Sequence, residues 1–287
     1  MKSLSLKCKF GKIKGLVWGK GNPKKILALH GWLDNAASFC QLAPKLASQG
    51  YEVVAIDFPG HGKSDHRAKG HFVNFIDFVL DVQNVIDELK WKKVILLGHS
   101  MGAAMSQMYA ISFPEKIEKL IMIENLGPVP AYQLGTIAEN LKEALSQWKN
   151  HTTKHSHFYQ NIEDALKIRL KVTPMQANFL EPMVKRGLKK TKKGYHWRTD
   201  KRLRLRSMIR FSEEMVQDAL SSKKPPTQLI LATPQTYALN YPTSHLRRDK
   251  LQAQSVVEIK GHHHLHMDNA EEVYQAISVF LNTEYEK

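Results

Sequence analysis

Short apolar runs alternate with amphipathic stretches along most of the chain. Runs with the length of buried strands are KKILALHG (24–31), YEVVAIDFPGHG (51–62), KKVILLGHS (92–100) and IEKLIMIEN (117–125). Apolar residues at helical spacing predict helices at 38–50, 75–89 and 101–113. Strands that alternate with helices predict a parallel sheet covered on both faces. Residues 4–18 alternate apolar and polar side chains, which predicts an antiparallel hairpin at the edge of that sheet.

This alternation is interrupted after Pro128. Residues 130–210 carry helical periods and few β-branched runs. The strand pattern then resumes with TQLILATP (227–234) and SVVEIKG (255–261), and a final helix is predicted at 270–282. Because the β/α pattern continues beyond the helical block, we predict a single α/β core formed by residues 1–129 and 211–287. Residues 130–210 are then a helical cap inserted into that core.

Positive charge is concentrated in one part of the chain. The formal net charge is +15, and residues 185–210 contain twelve Lys or Arg and a single acid, Asp200. Such an excess can attract nucleic acid, anionic membranes or acidic substrates. No nucleic-acid-binding motif accompanies it, so the pattern favours a solvated basic face, and no nucleic-acid partner is expected.

The rest of the composition is typical of a soluble globular protein, with 43% hydrophobic and 24% charged residues. The N-terminal residues lack an apolar segment of the signal-peptide kind, and no stretch approaches the ~20 apolar residues needed to cross a bilayer. The two cysteines, Cys8 and Cys40, lie in apolar surroundings. We therefore predict a cytoplasmic protein without stable membrane insertion. The sequence does not indicate an oligomeric state.

The strongest candidate for chemistry is the stretch 98–102, Gly-His-Ser-Met-Gly. It fits G-x-S-x-G, a strained turn between a strand and a helix that exposes its serine. The turn would also place Ser100 at a helix N-terminus, where amide groups favour developing negative charge. Ser100 could alternatively be an ordinary polar residue in a glycine-containing turn. A predicted strand before it and a predicted helix after it favour a nucleophile.

A catalytic base is expected late in such a chain, after the last strand. That position is the histidine-rich stretch GHHHLHMDN (261–269). One histidine must face Ser100, and the others are then solvated or packed. A metal site is the alternative, but no cysteine or carboxylate cluster stands at ligand spacing, so no metal is expected.

Several motifs together resemble the α/β-hydrolase superfamily, and the resemblance extends from about residue 20 to the end of the chain. They are ALHGWLDNAASF (28–39), VVAIDFPGHGKSD (53–65), VILLGHSMG (94–102) and GHHHLHMDNAEEV (261–273). The histidine-rich ending and GYHWRTDKRLR (194–204) resemble the serine hydrolase-like, or kraken-like, branch. The resemblance implies that the base lies five residues before Asp268, which gives His263. His262 and His264 are the alternatives, and His266 is expected to pack against the sheet.

The third catalytic residue is where this chain departs from the superfamily's commonest pattern. Most members place an aspartate just after the strand that reads TQLILA here, but residues 219–248 contain no acid. Asn240 could occupy that position. Glu124 follows an earlier strand, where haloalkane dehalogenases carry their acid, and the resemblance therefore implies Glu124. Glu124 could instead only form a cap or salt bridge at the base of the insertion. Dehalogenation is excluded because those enzymes use an aspartate nucleophile, whereas this chain has Ser100.

The loop after the first buried strand completes the predicted site. The resemblance implies that the backbone N–H groups of Trp32 and Met101 form an oxyanion hole. We expect His30 to hold this loop by hydrogen bonding rather than to act as a second base. In the second glycine-containing loop, we predict structural roles and no chemistry for the following residues: Asp57, Pro59, Gly60, His61, Gly62 and Ser64.

We therefore predict an α/β-hydrolase that cleaves a carboxylic ester, thioester or lactone through an acyl-enzyme on Ser100, without a cofactor. The expected partner is a small acyl substrate, and the basic cap is compatible with an anionic one such as an acyl-CoA. Another reaction on the same triad (C–C hydrolysis, perhydrolysis or acyl transfer) and a binding protein with a basic cap are the alternatives. Cap residues that either line an acyl pocket or form the cap's own core are Trp148, Phe158, Tyr159, Met175, Phe179 and Met183.

Overall fold

The computed structural model describes residues 1–130, 135–151, 157–236 and 239–285. Its strands, in chain order, are β1 (Lys2–Cys8), β2 (Gly11–Trp18), β3 (Lys24–Leu29), β4 (Tyr51–Ile56), β5 (Val94–His99), β6 (Ile117–Ile123), β7 (Leu188–Thr191), β8 (Gly194–Trp197), β9 (Thr227–Thr233) and β10 (Ser255–Lys260). Its α-helices are α1 (Leu42–Ser48), α2 (Asp77–Leu89), α3 (Met101–Ser112), α4 (Ile137–Asn150), α5 (Ile162–Val172), α6 (Ala177–Gly187), α7 (Glu213–Ser221), α8 (Ser244–Leu251), α9 (Leu265–Asp268) and α10 (Ala270–Asn282).

Eight strands form one sheet in the order β1-β2-β4-β3-β5-β6-β9-β10. The pairs β1–β2 and β2–β4 are antiparallel, and all the other pairs are parallel. The predicted α/β class and the edge hairpin of residues 4–18 are therefore confirmed. Because β3, β5, β6, β9 and β10 run in the same direction, their carboxyl ends lie along one edge of the sheet.

Both faces of the sheet are buried, which is why its strands read as continuous apolar runs. Successive residues of a strand point to opposite faces. In β3, Ile26 and Ala28 belong to the core on the side of α1 and α10, and Leu27 and Leu29 belong to the core on the side of α2 and α3. All four are fully buried. Among the described residues, no helix is both long and apolar enough to cross a bilayer.

Between β6 and β9 the chain forms the elements α4, α5, α6, β7, β8 and α7, in that order. We call residues 130–210 the insertion; residues 131–134 and 152–156 of it lie outside the described residues. The sequence pattern predicts helices here but not the hairpin β7–β8, which has a single β-branched residue, Thr191. The hairpin forms because Gly194 adopts a φ of 110° and because Tyr195 exchanges two backbone hydrogen bonds of 2.8 Å with Tyr159. Such pairing partners cannot be read from local periodicity.

Two ion pairs with buried carboxylates attach the insertion to loops that follow strands of the sheet. Arg186 of α6 donates from Nε to both carboxylate oxygens of Asp57, at 2.8 and 3.0 Å. Arg169 of α5 donates to Asp34 Oδ1 at 2.7 Å. The interpretation of residues 185–210 as a solvated basic face is correct for exposed lysines such as Lys189 but wrong for Arg186, which is 8% exposed.

We expect Arg186→Met to lower the free energy of unfolding by about 3 kcal/mol, because it leaves the Asp57 carboxylate buried without its guanidinium partner. Urea unfolding curves of the two proteins measure this difference. The matched control is Lys185→Gln, since Lys185 forms an exposed pair with Glu181. This substitution should change stability by no more than about 0.5 kcal/mol. Equal stabilities of the two variants would contradict a structural role for the Arg186–Asp57 pair.

Candidate active site

Ser100 lies in a sharp turn between β5 and α3, with φ 51° and ψ −119°. A non-glycine residue with positive φ is strained. The glycines on either side allow this turn because no side chain fits there. A Cβ on Gly102 would lie 2.0 Å from the carbonyl oxygen of Leu29, and one on Gly98 would lie 2.3 Å from the Cα of Ala103. The G-x-S-x-G pattern thus reflects the close approach of α3 to β3 and β5.

The structure brings Ser100, His263 and Glu124 into one hydrogen-bonded chain. The Ser100 hydroxyl donates to His263 Nε2 at 3.0 Å, and His263 Nδ1–H donates to Glu124 Oε2 at 3.1 Å. These residues are far apart in sequence and follow three different strands, β5, β10 and β6. In geometry the chain has the arrangement of a nucleophile, a base and an orienting acid.

Glu124 is held in this position by the next strand of the sheet. Its side chain is 1% exposed, and its Oε1 accepts a hydrogen bond of 2.6 Å from the amide of Ala232 at the end of β9. Its Oε2 also accepts from the hydroxyl of Thr236 at 2.6 Å. The contacts found for the Glu124 carboxylate in the described part of the chain are therefore with the sheet edge and His263, and none is a salt bridge to the insertion. Asn240, the alternative, is exposed at the rim of the same cavity.

The other histidines of the 261–269 loop have separate partners. His262 Nε2 lies 2.6 Å from a carboxylate oxygen of Asp268, and His264 Nε2 lies 3.2 Å from a carboxylate oxygen of Asp34. His266 is fully buried, and its ring centroid is 4.1 Å from that of His99. Burial lowers the pKa of His266 well below its ordinary value, so this ring packs in its neutral form.

Two residues that support this arrangement were not identified from the sequence. His99, next to Ser100, is fully buried and donates from Nε2 to the backbone carbonyl of His263 at 2.7 Å. The carboxylate of Asp34 binds both Arg169 and His264. Burial alone would raise the pKa of Asp34, but the charges of His264 and Arg169 hold it well below its usual range. These contacts connect the turn at Ser100, the loop 261–269 and the insertion, and no local sequence signal indicates them.

Asp34, His99 and His264 also offer three possible metal-ligand atoms within 4.8 Å of one another. The Arg169 guanidinium already lies 2.7 Å from the Asp34 carboxylate. A divalent cation at this position would be repelled by that guanidinium and would have to displace it. The donor set therefore suits its present ion pair and hydrogen bonds better than a metal ion.

Trp32 and Met101, whose amides are predicted as an oxyanion hole, both line the same cavity as Ser100. Met101 is the first residue of α3, so its N–H has no acceptor within the helix. Trp32 lies in the turn after β3, and its indole donates to the carbonyl of Leu203 in the insertion at 3.1 Å. His30 accepts from the amide of Phe58 at 3.1 Å, which ties this turn to the neighbouring loop as expected.

The loop after β4 is built around the buried side chain of Asp57. Its Oδ1 accepts from the amide of Ala36 at 2.8 Å, and its Oδ2 accepts from the amide of Lys63 at 2.7 Å. The Ser64 hydroxyl donates to the Asp57 carbonyl at 2.6 Å, and His61 Nδ1 lies 3.2 Å from the Pro59 carbonyl. These contacts hold the loop together, and none of them places His61 or Ser64 at Ser100.

A cavity of about 1170 Å³ opens above the serine. Its floor contains Ser100, His263 and Glu124, and the insertion supplies much of its wall. Of the six aromatic and methionine residues singled out in the insertion, Tyr159 lines this cavity and is also part of the buried core. Met183 belongs to that core, and Met175 packs against it. The apolar wall residues that the insertion contributes are Tyr159, Ile168, Val172, Trp197, Leu203 and Leu205.

Comparison with known proteins gives a consistent result. A family model described as the alpha/beta hydrolase fold matches residues 25–270. The chain is 31% identical to a serine hydrolase-like protein of Danio rerio over 282 residues, which is 95% of this chain and 86% of that protein. It is 32% identical to a probable serine hydrolase of Drosophila melanogaster over 293 residues, which is 96% of this chain and 86% of that one.

Solved structures agree with the fold over nearly the whole chain. A hypothetical protein from Pseudomonas aeruginosa PAO1 superposes with a TM-score of 0.90 at 34% identity, covering 99% of this chain and 100% of that one. A thioesterase domain from the curacin biosynthetic pathway superposes with a TM-score of 0.83 at 26% identity, covering 98% and 99%.

We expect acidification to weaken folding through His61. Burial and the neighbouring His30 lower the pKa of His61 from 6.5 to about 3. At pH 5 the unfolded chain therefore binds a proton at His61 that the folded protein does not bind. The contribution of His61 to the free energy of unfolding is present above pH 6.5 and is lost as the pH falls toward 3. We expect this loss to amount to about 2 kcal/mol between pH 7 and pH 5.

Urea unfolding of wild type and His61→Gln at pH 7 and pH 5 measures this contribution. The pH-dependent loss of unfolding free energy should be smaller by about 2 kcal/mol in the variant. The exposed His71 provides the control, because His71→Gln should keep the wild-type loss. If wild type and His61→Gln lose the same free energy on acidification, His61 is not buried in its neutral form.

Proposed function

The chain belongs to the α/β-hydrolase family, in its serine hydrolase-like branch, and on this basis we propose that it is a serine hydrolase of carboxylic esters or related acyl compounds. The observation that carries the proposal is the hydrogen-bonded chain Ser100–His263–Glu124 at the floor of a large cavity. A neutral hydroxyl needs a base within hydrogen-bonding distance to become a nucleophile, and an acyl carbon is the centre it attacks well.

In the proposed reaction, Ser100 Oγ attacks the acyl carbon while His263 Nε2 takes the hydroxyl proton. The amides of Met101 and Trp32 donate to the oxyanion of the tetrahedral intermediate. His263 then returns the proton to the leaving group, and the acyl chain stays on Ser100. A water molecule gives its proton to His263 and attacks this acyl-enzyme, which releases the acid and restores the serine.

Glu124 is the proposed acid of this triad. Its carboxylate accepts the hydrogen bond from Nδ1–H of His263 and so fixes the orientation of the ring. It also offsets the positive charge that the ring gains during the reaction. The hydrogen bonds from Ala232 and Thr236 keep the carboxylate in this orientation. Asn240 would supply a neutral amide from an exposed position, and a neutral amide cannot stabilise an imidazolium as a carboxylate does.

The apolar wall of the cavity suits the acyl chain of such a substrate. Ile168, Val172 and Leu205 present aliphatic side chains, and Trp197 adds an aromatic surface. A cavity of about 1170 Å³ accommodates a chain of several carbon atoms together with its leaving group. Esters, thioesters and lactones all fit the chemistry of the proposed site.

The proposed location is the cytoplasm. Cys8 and Cys40 are both free thiols, and burial raises the pKa of each to about 11. Thiols that remain protonated and unpaired are compatible with a reducing compartment.

We expect a fluorophosphonate probe to label the wild-type protein, because the probe reacts with serines that an adjacent base activates. Ser100→Ala should abolish labelling on a gel read by probe fluorescence. Ser112→Ala is the matched control, since Ser112 is an exposed serine on the same helix, and its substitution should leave labelling unchanged. Labelling that persists in Ser100→Ala, or is absent from the folded wild type, would refute an activated Ser100.

The acid can be identified by comparing Glu124→Gln with Asn240→Ala. We expect Glu124→Gln to lower kcat/KM for a p-nitrophenyl ester by about 10²–10⁴-fold, because the imidazolium loses its carboxylate partner. Asn240→Ala should lower it by less than about threefold. The reverse order of the two effects would assign the orienting role to Asn240. Circular dichroism of both variants confirms that each is folded before the kinetics are compared.

A further inference from the structure

The cavity above Ser100 has an excess of positive charge. It is bordered by four arginines, Arg169, Arg204, Arg206 and Arg210, and by two carboxylates, Asp34 and Glu124. Both carboxylates already have partners, because Asp34 binds Arg169 and Glu124 binds His263. Neither carboxylate of the lining is therefore left for Arg210.

Arg210 is the most informative of these residues. Within residues 1–130, 135–151, 157–236 and 239–285, its guanidinium forms no ion pair and no hydrogen bond. Burial, followed by the charge of Arg206, lowers the pKa of Arg210 from its ordinary value. The residues outside the described ranges contain one acidic side chain, that of Glu286 near the C-terminus. A partly buried guanidinium without an anion is costly, and a like charge beside it increases the cost.

Helix α4 holds the segment 206–210, which carries Arg206 and Arg210, in place. Asn140, which is 5% exposed, donates from Nδ2 to the carbonyls of Ser207 and Met208 at 3.1 and 2.7 Å. Its Oδ1 accepts from Arg206 Nε at 2.8 Å, and Gln147 accepts from the Arg206 amide at 2.8 Å. The backbone that carries the positive charges is therefore pre-organised, which reduces the entropy lost when a ligand binds there.

We propose that the substrate carries an anionic oxygen group, a carboxylate or a phosphate, that binds beside Arg206 and Arg210 while the acyl carbon lies at Ser100. Guanidinium groups present forked N–H donors that match the oxygens of both anions. The position of the acyl carbon rests on the proposed function. The anion site itself rests on the charges and contacts of the cavity wall.

Binding to the Ser100→Ala protein tests the site without turnover. Isothermal titration calorimetry compares methyl hydrogen suberate, which has an ester at one end and a carboxylate at the other, with its neutral counterpart dimethyl suberate. The expected result is that the anionic ester binds about tenfold tighter or more, as for a charge-assisted hydrogen bond. Methyl 8-phosphonooxyoctanoate, used in the same way, shows whether a phosphate is preferred to a carboxylate.

Substitutions made in the Ser100→Ala background then locate the site. Arg210→Gln should remove most of the preference for the anionic ester, and Arg210→Lys should retain part of it because the positive charge remains. Lys192→Gln is the matched control, since it removes one exposed positive charge of the insertion that does not border the cavity. It should leave the preference unchanged.

Three results would overturn the proposal: equal binding of the anionic and neutral esters, an unchanged preference in folded Arg210→Gln, or an equal loss in Lys192→Gln. The last result would attribute the effect to the overall charge of the insertion. Failure of the proposed hydrolase is distinguishable, because in that case the anionic ester still binds in an Arg210-dependent manner while wild type neither hydrolyses esters nor reacts with the fluorophosphonate probe.

Discussion

The close approach of α3 to the ends of β3 and β5 is the constraint on which the rest of the site depends. The helix begins where the carbonyl of Leu29 would be only 2.0 Å from a side chain at Gly102, so glycine is required there. This packing requires a sharp turn after β5, in which Ser100 has a positive φ. It also leaves the amide of Met101 at the start of the helix. It also points His99 inward, where its imidazole binds the backbone of the loop that carries His263.

The loop 261–269, which carries His263, and the insertion are connected through one buried carboxylate, that of Asp34. Asp34 lies in the turn beside Trp32 and accepts hydrogen bonds from His264 and Arg169. A charged group in this position is stable only because both partners are present, since an isolated buried carboxylate is strongly disfavoured. The arrangement of the loop that bears the proposed base therefore depends on how the insertion sits on the sheet.

The insertion uses its positive charges in two ways. Arg186 and Arg169 bind buried carboxylates of the sheet edge and hold the insertion in place. Arg206 and Arg210 border the cavity, and Arg206 is positioned there by Asn140 of α4. The basic residues that contribute to the net charge of +15 thus have two different roles. Some bind the insertion to the sheet, and others make the interior of the cavity positive.

The sequence alone determined the features that depend on neighbouring residues. Apolar periodicity predicted the sheet and its helices, and the G-x-S-x-G stretch predicted the turn at Ser100, because strands, helices and tight turns are governed by local spacing. The choice of Glu124 and His263 came from a resemblance, and alternatives such as Asn240 stayed open. Only the tertiary structure brought Glu124 to 3.1 Å from His263, paired Arg186 with Asp57 across 129 positions, and formed the hairpin β7–β8. These contacts depend on which strands become neighbours in the sheet and how the insertion folds over its edge, and local periodicity carries no information about either.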